Sequence, residues 1–298
     1  MNGQRKYIVV QIDNLVIDLA NYNLDLIDMV SETLNTTFGI NSREFMNSLL
    51  NYLKLSTKPT ENVITATYNV MMESFSKRLE FPNTKAKNHF CNSIKTKFNT
   101  QKKSILKTLP NAISTLEVLK EKGFKLIGIT DLPISVARND IKLIGIDKYF
   151  DTVYAYDDSI KTPKSSTRLH DIWLATTVNF SLTTSCDVVE IPKNIYKPSK
   201  RIIEKVLDDF GLVPQEVIMI GRNIEQDLLP AKLIGIKTIF VDTKISIRNK
   251  HNLRLLLQHL GTRRVRELLN LHNNKRIQNE LKPEAKVKSL QSLMYSLT

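Results

Sequence analysis

Cysteine and histidine are too few and too scattered in this chain to build a metal or disulfide framework. The 298 residues include two cysteines, Cys91 and Cys186, which lie far apart and form no CxxC pair. This pattern argues against a disulfide scaffold and against a zinc site. The five histidines show neither HxH nor HExxH spacing, so they are interpreted as scattered surface or core residues (His89, His170, His251, His259, His272).

Long apolar runs are also missing. No stretch approaches the roughly 20 apolar residues that a membrane-spanning helix needs. The sequence begins MNGQRKYIVV and passes almost directly into a predicted strand, so we expect no signal or transit peptide. We therefore predict a cytoplasmic protein. The length suits two domains, or one domain with insertions, and the overall composition is ordinary for a globular protein.

Acidic residues are outnumbered, and the imbalance is local. The formal net charge is +13. Residues 244–298 contain twelve Lys or Arg and three Glu, a net charge of +9. Such a segment is suited to contact nucleic acid or a protein complex, with an affinity that depends strongly on salt. The alternative is a solvated helical pair that packs on the core or on another subunit.

Hydrophobic periodicity divides the rest of the chain. Residues 1–20 contain an opening strand, and residues 21–104 place apolar side chains at helical spacing, as in Leu26, Met29, Val30 and Leu34. From 105 to 243, short apolar strands alternate with amphipathic helices. This alternation predicts an α/β fold, a Rossmann-like doubly wound parallel sheet, with an inserted helical segment after the first strand. In such sheets ligands bind at the carboxyl ends of the strands.

Two segments depart from this alternation. Residues 155–196 contain a β-rich run from 183 to 191 and are predicted to be an insertion within the core, with a possible hairpin. Residues 244–298 carry an apolar stripe, a break at Gly261 and a second stripe, and are predicted to be a basic helical C-terminal extension.

The end of the first strand carries the most informative sequence pattern. The apolar run from Tyr7 leads into Gln11-Ile12-Asp13-Asn14-Leu15. It resembles the first motif of the haloacid dehalogenase (HAD) superfamily, in which a strand ends in Asp-x-Asp-Gly-Thr. Gln11 stands at the first Asp, and Asp13 is the acid that remains.

Three further stretches resemble the later HAD motifs in the expected order. Ile129-Thr130-Asp131 is similar to the second motif, whose hydroxyl contacts a phosphate oxygen. Lys197-Pro198-Ser199 is similar to the third, whose lysine neutralises phosphate and nucleophile. The stretch from Gly221 to Asp227 is similar to the fourth, usually Gly-Asp-x-x-x-x-Asp. The resemblance covers residues 5–20 and 105–243, and implies that residues 21–104 are a helical cap.

The departures from these motifs bear on the chemistry that the resemblance implies. The family forms a covalent intermediate on the first aspartate, and Gln11 is a neutral amide that cannot do this. Its Mg²⁺ site uses that aspartate and an acid of the fourth motif, where Arg222 now stands. A guanidinium repels Mg²⁺. Asp13 matches the general acid/base position. We therefore expect no cofactor, with Mg²⁺ only if hydrolase activity is retained.

Several interpretations of these positions remain open. Gln11, Asp13, Thr130, Lys197 and Asp227 are predicted to be vestigial catalytic positions, and no metal is expected near Asp13 and Asp227. Three residues are also candidates for binding an anion, such as a small phosphorylated ligand: Thr130, Lys197 and Arg222. Each has a structural alternative: Thr130 as a turn cap, Lys197 as a solvated lysine and Asp227 as a helix-leading acid. A register with Asp13 as nucleophile is a further alternative.

The sequence thus predicts a HAD-like protein with a degenerate site and a binding, scaffolding or regulatory role. One alternative is a residual hydrolase of a small phosphate ester, acting as a phosphoric monoester hydrolase through Asp13 and Asp227. The other is a protein that binds nucleic acid or a complex through its basic C-terminal helices.

Overall fold

The computed structural model describes residues 6–56, 101–157, 183–192, 194–269 and 283–295, with residues 271 and 297 and isolated positions between 57 and 100. Much of the predicted cap (57–100), most of the predicted insertion (158–182) and part of the C-terminal extension (272–282) lie outside the described residues. The predicted boundaries of these three segments therefore remain predictions where they fall in those ranges.

A seven-stranded sheet with strand order β4-β3-β2-β1-β5-β6-β7 forms the centre of the fold. Every pair of neighbouring strands is parallel, so the predicted α/β class is confirmed. The strands are β1 (Tyr7–Gln11), β2 (Lys125–Pro133), β3 (Thr152–Tyr156), β4 (Asp187–Ile191), β5 (Val217–Gly221), β6 (Lys237–Val241) and β7 (Ala285–Val287).

Helices cover both faces of this sheet, because consecutive residues of each strand point to opposite sides. In β1, Ile8 and Val10 join one buried apolar layer and Val9 joins the other. The helices in the described residues are α1 (Leu19–Phe38), α2 (Ser42–Leu55), α3 (Ala112–Glu121), α4 (Ile134–Leu143), α5 (Arg201–Phe210), α6 (Leu229–Leu233) and α7 (Lys250–Leu268). The first layer contains side chains of α1, α2, α3, α4 and α7, and the second contains side chains of α5 and α6.

The predicted core insertion 155–196 is too wide at both ends. Tyr156 belongs to β3, and the β-rich run supplies β4, which pairs in parallel with β3 as an edge strand of the central sheet. The sequence predicted a possible hairpin here. β4 lies at the edge of the sheet with its middle residues not fully buried, so its sequence lacks the continuous apolar run typical of an inner strand. The described part of this segment therefore extends the core.

The predicted C-terminal extension is not wholly helical. Residues 285–287 form β7, which pairs in parallel with β6 at the far edge of the sheet. The backbone nitrogen of Thr238 in β6 donates a hydrogen bond of 2.8 Å to Oε2 of Glu284, the residue before β7. This contact helps to fix β7 beside β6. A three-residue strand is too short to give a detectable alternation, so the sequence pattern missed it.

The helical part of the extension does break where the sequence predicted. Gly261 has φ 75° and ψ 164°, which interrupts α7. The apolar side chains of Leu256, Val265 and Leu268 are buried in the layer that contains α1 and α2. This is the packing on the core that the sequence left open as an alternative. Among the described residues, no helix combines the length and apolar character needed to cross a membrane.

Candidate functional site

The carboxyl ends of the central strands bring five predicted site residues together. Gln11 ends β1, Thr130 lies in an irregular stretch near the end of β2, and Asp227 follows the end of β5. Lys197 lies in the loop between β4 and α5. Hydrogen bonds and ion pairs join the cluster, which contains Gln11, Asp13, Thr130, Lys197 and Asp227.

Lys197 forms the centre of this cluster. Its Nζ lies 2.6 Å from Oε1 of Gln11, 2.9 Å from Oδ1 of Asp131 and 3.1 Å from Oδ1 of Asp227. Burial lowers the pKa of Lys197, but the carboxylates of Asp131 and Asp227 outweigh burial and raise that pKa above its ordinary value. The ammonium group therefore stays charged. The alternative of a solvated lysine is wrong, because the side chain is only 9% exposed.

Asp13 is held by donors on both carboxylate oxygens. Its Oδ1 accepts from Oγ1 of Thr130 at 2.6 Å, and its Oδ2 accepts from the backbone nitrogen of Asp131 at 2.6 Å and from Nε2 of Gln11 at 3.1 Å. Complete burial, followed by the charge of Asp131, raises the pKa of Asp13 to about 7. A pKa in this range is one that a general acid or base needs at neutral pH.

We predict that Asp13 makes stability fall as pH rises. Its pKa is about 7 in the folded protein and about 3.9 in an unfolded chain. The folded state therefore holds the proton more tightly, and the stabilising contribution is complete below about pH 4 and lost as pH rises through about 7. Asp13→Asn should remove this loss, so that the variant gains stability relative to wild type by a few kcal/mol from about pH 5 to about pH 8.

Urea denaturation across this pH range measures the difference between wild type and variant. Asp208→Asn, at an exposed carboxylate on α5, is the matched control. A wild-type-to-variant difference that stays constant with pH would show that Asp13 is already ionised in the folded state at low pH.

Gln11 is engaged at both ends of its amide. The oxygen accepts from Lys197, and the nitrogen donates to Asp13. The side chain is fully buried. An amide in this position lacks the carboxylate oxygen that could attack a phosphorus or carbon centre, and its carbonyl oxygen is already committed to an ammonium group.

The predicted anion site does not have the expected charge. Thr130 donates to Asp13, and its Oγ1 also accepts from the backbone nitrogen of Leu132 at 3.2 Å. Lys197 faces the carboxylates of Asp131 and Asp227. In the described residues the charge of Lys197 is thus balanced by the carboxylates of Asp131, which the motif comparison did not count, and of Asp227. The proposal of an anion site at Thr130, Lys197 and Arg222 has to account for these two carboxylates.

Arg222 points toward the start of the C-terminal extension. Its Nη2 donates to the carbonyl oxygen of Thr243 at 3.1 Å. Burial lowers the pKa of Arg222 below its ordinary value, while the nearby charges of Asp227, Asp242 and Asp18 oppose that shift. The guanidinium thus interacts electrostatically with the carboxylate of Asp227. It belongs to the residue that replaces the metal-binding acid of the fourth HAD motif.

A π-helical turn positions Asp227. The turn spans Ile224–Leu228 and begins at Asn223, whose side chain accepts from the backbone nitrogen of Gln226. Oδ2 of Asp227 accepts from the backbone nitrogen of Asn223 at 3.0 Å. A Cβ atom on Gly221 would lie 2.7 Å from Cβ of Asp227. Glycine is therefore required for this acid to approach the end of β5, and π-turns of this kind are frequent at functional sites.

Two site residues were missed by sequence reasoning. Asp131 supplies the shortest ion pair to Lys197, and only its position beside Thr130 could have indicated this. Asn14 has φ 56°, a conformation that Asn tolerates better than most residues and that the glycine of the HAD motif adopts freely. The replacement of that glycine by Asn14 was the available signal. The Asn14 side chain contacts the C-terminal extension, because its Nδ2 donates to the carbonyl oxygen of Leu269.

One cavity lined by described residues lies beside the cluster, and it is small. A cavity between Lys197, Asp227 and the side chains of Ile203 and Met219 has a volume of about 10 Å³. That volume holds about one water molecule. Small-molecule sites are usually several hundred Å³. In the described parts of the chain, no group of three His, Cys, Asp or Glu side chains is arranged to hold a metal ion.

Two family models match this sequence. The model described as haloacid dehalogenase-like hydrolase matches residues 33–175, and the model described as HAD-hydrolase-like matches residues 195–262. The first match begins beyond the first strand, so the stretch around Gln11 and Asp13 lies outside both matched ranges.

Curated relatives match part of the chain. Pyrophosphatase PpaX of Halalkalibacterium halodurans is 28% identical over 127 residues, which cover 43% of each chain. Glyceraldehyde 3-phosphate phosphatase of Methanothermobacter thermautotrophicus is 27% identical over 151 residues, 50% of this chain and 51% of the relative. The chain thus spans about half the length of these relatives or less.

Solved structures share the fold over nearly the whole chain. A 2-haloacid dehalogenase from Pseudomonas syringae pv. Tomato has a TM-score of 0.55 at 14% identity, and covers 98% of this chain and 97% of its own. A HAD phosphatase from Thermococcus onnurineus has a TM-score of 0.50 at 18% identity, with 98% and 97% covered. These structures show the fold, and the two family models, which together match more than two thirds of the chain, show that it belongs to the haloacid dehalogenase superfamily.

Proposed function

We propose that this protein is a HAD-fold pseudo-phosphatase, which does not carry out Mg²⁺-dependent phosphoryl transfer and has a binding or regulatory role. One observation carries the proposal: Nζ of Lys197 lies 2.6 Å from Oε1 of Gln11, at the position where the family has its nucleophile. A carbonyl oxygen held by an ammonium group is neither a nucleophile nor a free metal ligand.

The residues of the site do not fit Mg²⁺. This ion requires several hard, anionic oxygens in nearly octahedral geometry. Asp227 is the acid that remains in the fourth motif. Its Oδ1 accepts a hydrogen bond from Nζ of Lys197, and its Oδ2 accepts one from the backbone nitrogen of Asn223. The charges of Lys197 and Arg222 oppose the entry of a second cation. The proposed role therefore includes no step at a metal ion.

Assay of the purified wild-type protein tests this proposal. Substrates are p-nitrophenyl phosphate and a panel that includes pyrophosphate, glyceraldehyde 3-phosphate and phosphoserine, because relatives of this chain are phosphatases and pyrophosphatases. We expect no turnover above background with or without Mg²⁺. Mg²⁺-dependent turnover that disappears in Asp13→Ala would overturn the proposal.

A residual hydrolase is the second candidate, and one observation favours it. The pKa of Asp13, raised to about 7 chiefly by burial, suits proton transfer at neutral pH. A nucleophile is still missing, because Asp13 itself is fully buried and accepts hydrogen bonds on both oxygens. Turnover in the same panel that requires both Asp13 and Asp227 would support this candidate over the first.

A further inference from the structure

The chain after β6 crosses the boundary between the core and the cap helices. We refer to residues 243–269 as the strap. At its first residue, the carbonyl oxygen of Thr243 accepts a hydrogen bond from Arg222, which directly follows β5. At its last residue, the carbonyl oxygen of Leu269 accepts from Nδ2 of Asn14 at 2.8 Å. Both anchors are positions where the sequence departs from the HAD motifs.

Asn14 links the strap to the loop that carries Asp13. Its Nδ2 donates to Leu269, and its Oδ1 accepts from the backbone nitrogen of Ala20 at 2.8 Å. Glycine at this position would allow the same backbone, with φ 56°, but would make neither contact. The asparagine therefore couples the site loop, the first turn of α1 and the end of the strap.

Acidic side chains at and just before the first half of α1 form ion pairs and hydrogen bonds with the first half of the strap. Arg248 contacts Oδ2 of Asp18 at 3.2 Å and Oδ2 of Asp25 at 3.3 Å. Asn252 donates to Oδ1 of Asp28 at 2.8 Å. The positive charge of the extension thus faces negative charge on the cap helix, and the Arg248 side chain remains 51% exposed.

Buried contacts complete the attachment. Asn21 is 1% exposed, and its side chain donates to the carbonyl oxygen of Ser246 and accepts from the backbone nitrogen of Arg248. Farther along, Arg264 donates to the carbonyl oxygen of Ser56, at the end of α2. Between these polar contacts, apolar side chains of the strap enter the core layer (Leu256, Val265, Leu268, Leu269).

We propose that the strap is an intramolecular latch that holds α1 and α2, the described part of the predicted cap, on the core. The chain already passes between core and cap twice, near residues 16–18 and 107–109, where backbone hydrogen bonds join Asp18 to Lys107 and Leu109 to Val16. The strap adds a third, non-covalent connection that can open without unfolding the sheet. This inference goes beyond the proposed function and does not depend on whether the site is inactive.

Hydrogen exchange of the full chain tests the latch. The variant Asn14→Gly/Arg248→Ala removes the contacts of Asn14 with Leu269 and Ala20 and the ion pairs of Arg248 with Asp18 and Asp25. It leaves the buried apolar contacts of the strap intact. We expect amide exchange in residues 250–268 and 19–28 to rise about tenfold, the size of effect of losing one or two hydrogen bonds. Exchange in β1 and β5 should not change.

The matched control is Arg254→Ala, which removes an exposed positive charge from the same helix. Its exchange should equal that of wild type. Unchanged exchange in the double variant would overturn the proposal, as would an equal rise in β1 and β5 or an equal rise in the control. Because exchange needs no turnover, a failed latch and a failed pseudo-phosphatase proposal give different results.

Discussion

Lys197→Met should lower the free energy of unfolding by about 3–5 kcal/mol, the usual cost of removing one partner from a buried ion pair. Methionine fills a similar volume, but it leaves the carboxylates of Asp131 and Asp227 facing each other without the cation between them. Asp227 is 2% exposed, and a single water molecule in the adjacent cavity is a much weaker partner for a buried carboxylate than an ammonium group. A loss of this size is a large fraction of the stability of a typical domain.

Chemical denaturation at pH 7 measures this loss, and Lys200→Met is its control. Lys200 lies three residues away and pairs with Glu204 at 2.8 Å, but its side chain is 57% exposed. An exposed pair of this kind contributes about 0–1 kcal/mol. If Lys197→Met cost no more than the control, Lys197 would not be the electrostatic centre of the cluster.

The second prediction concerns regained chemistry. In Gln11→Asp/Arg222→Asp, two carboxylates replace an amide and a guanidinium at the end of β1 and the end of β5. Asp13, Thr130 and Lys197 already occupy their motif positions around them. We expect the variant to bind Mg²⁺ and to hydrolyse p-nitrophenyl phosphate at least about tenfold above background, where wild type gives no turnover, because the nucleophile and the metal ligands are both restored.

Gln11→Asn/Arg222→Asn is the matched control, since it changes the same two positions without adding charge. Mg²⁺ at about 100 times its dissociation constant should stabilise the aspartate variant by about 2.7 kcal/mol and leave the control unaffected. A folded aspartate variant with neither stabilisation nor turnover would show that more than these two positions separates this site from an active one.

The central sheet could be predicted because its inner strands are strongly apolar on both faces. The alternation predicted over residues 105–243 is clearest at β5 and β6, whose residues are buried almost throughout. The two edge strands were misassigned, because β4 is only partly buried and β7 contains three residues. Edge strands bury one side less completely, so their sequences carry less of the pattern that identifies a strand.

The site could be located but its electrostatics could not. Motif spacing placed Gln11, Asp13, Thr130, Lys197 and Asp227 at one end of the sheet, and the structure brings them into contact. The charge balance depends on Asp131, and the orientation of Arg222 depends on Thr243, a residue far along the chain. Contacts between distant segments have no signature in local sequence, which is why the strap was also missed.

Titration of wild-type protein with Mg²⁺ in a calorimeter examines the metal site without assuming a substrate. We expect no saturable heat, because Nζ of Lys197 contacts the oxygens of Gln11 and Asp227 that a metal ion would need. Saturable binding of one Mg²⁺ per chain that disappears in Asp227→Asn would contradict it.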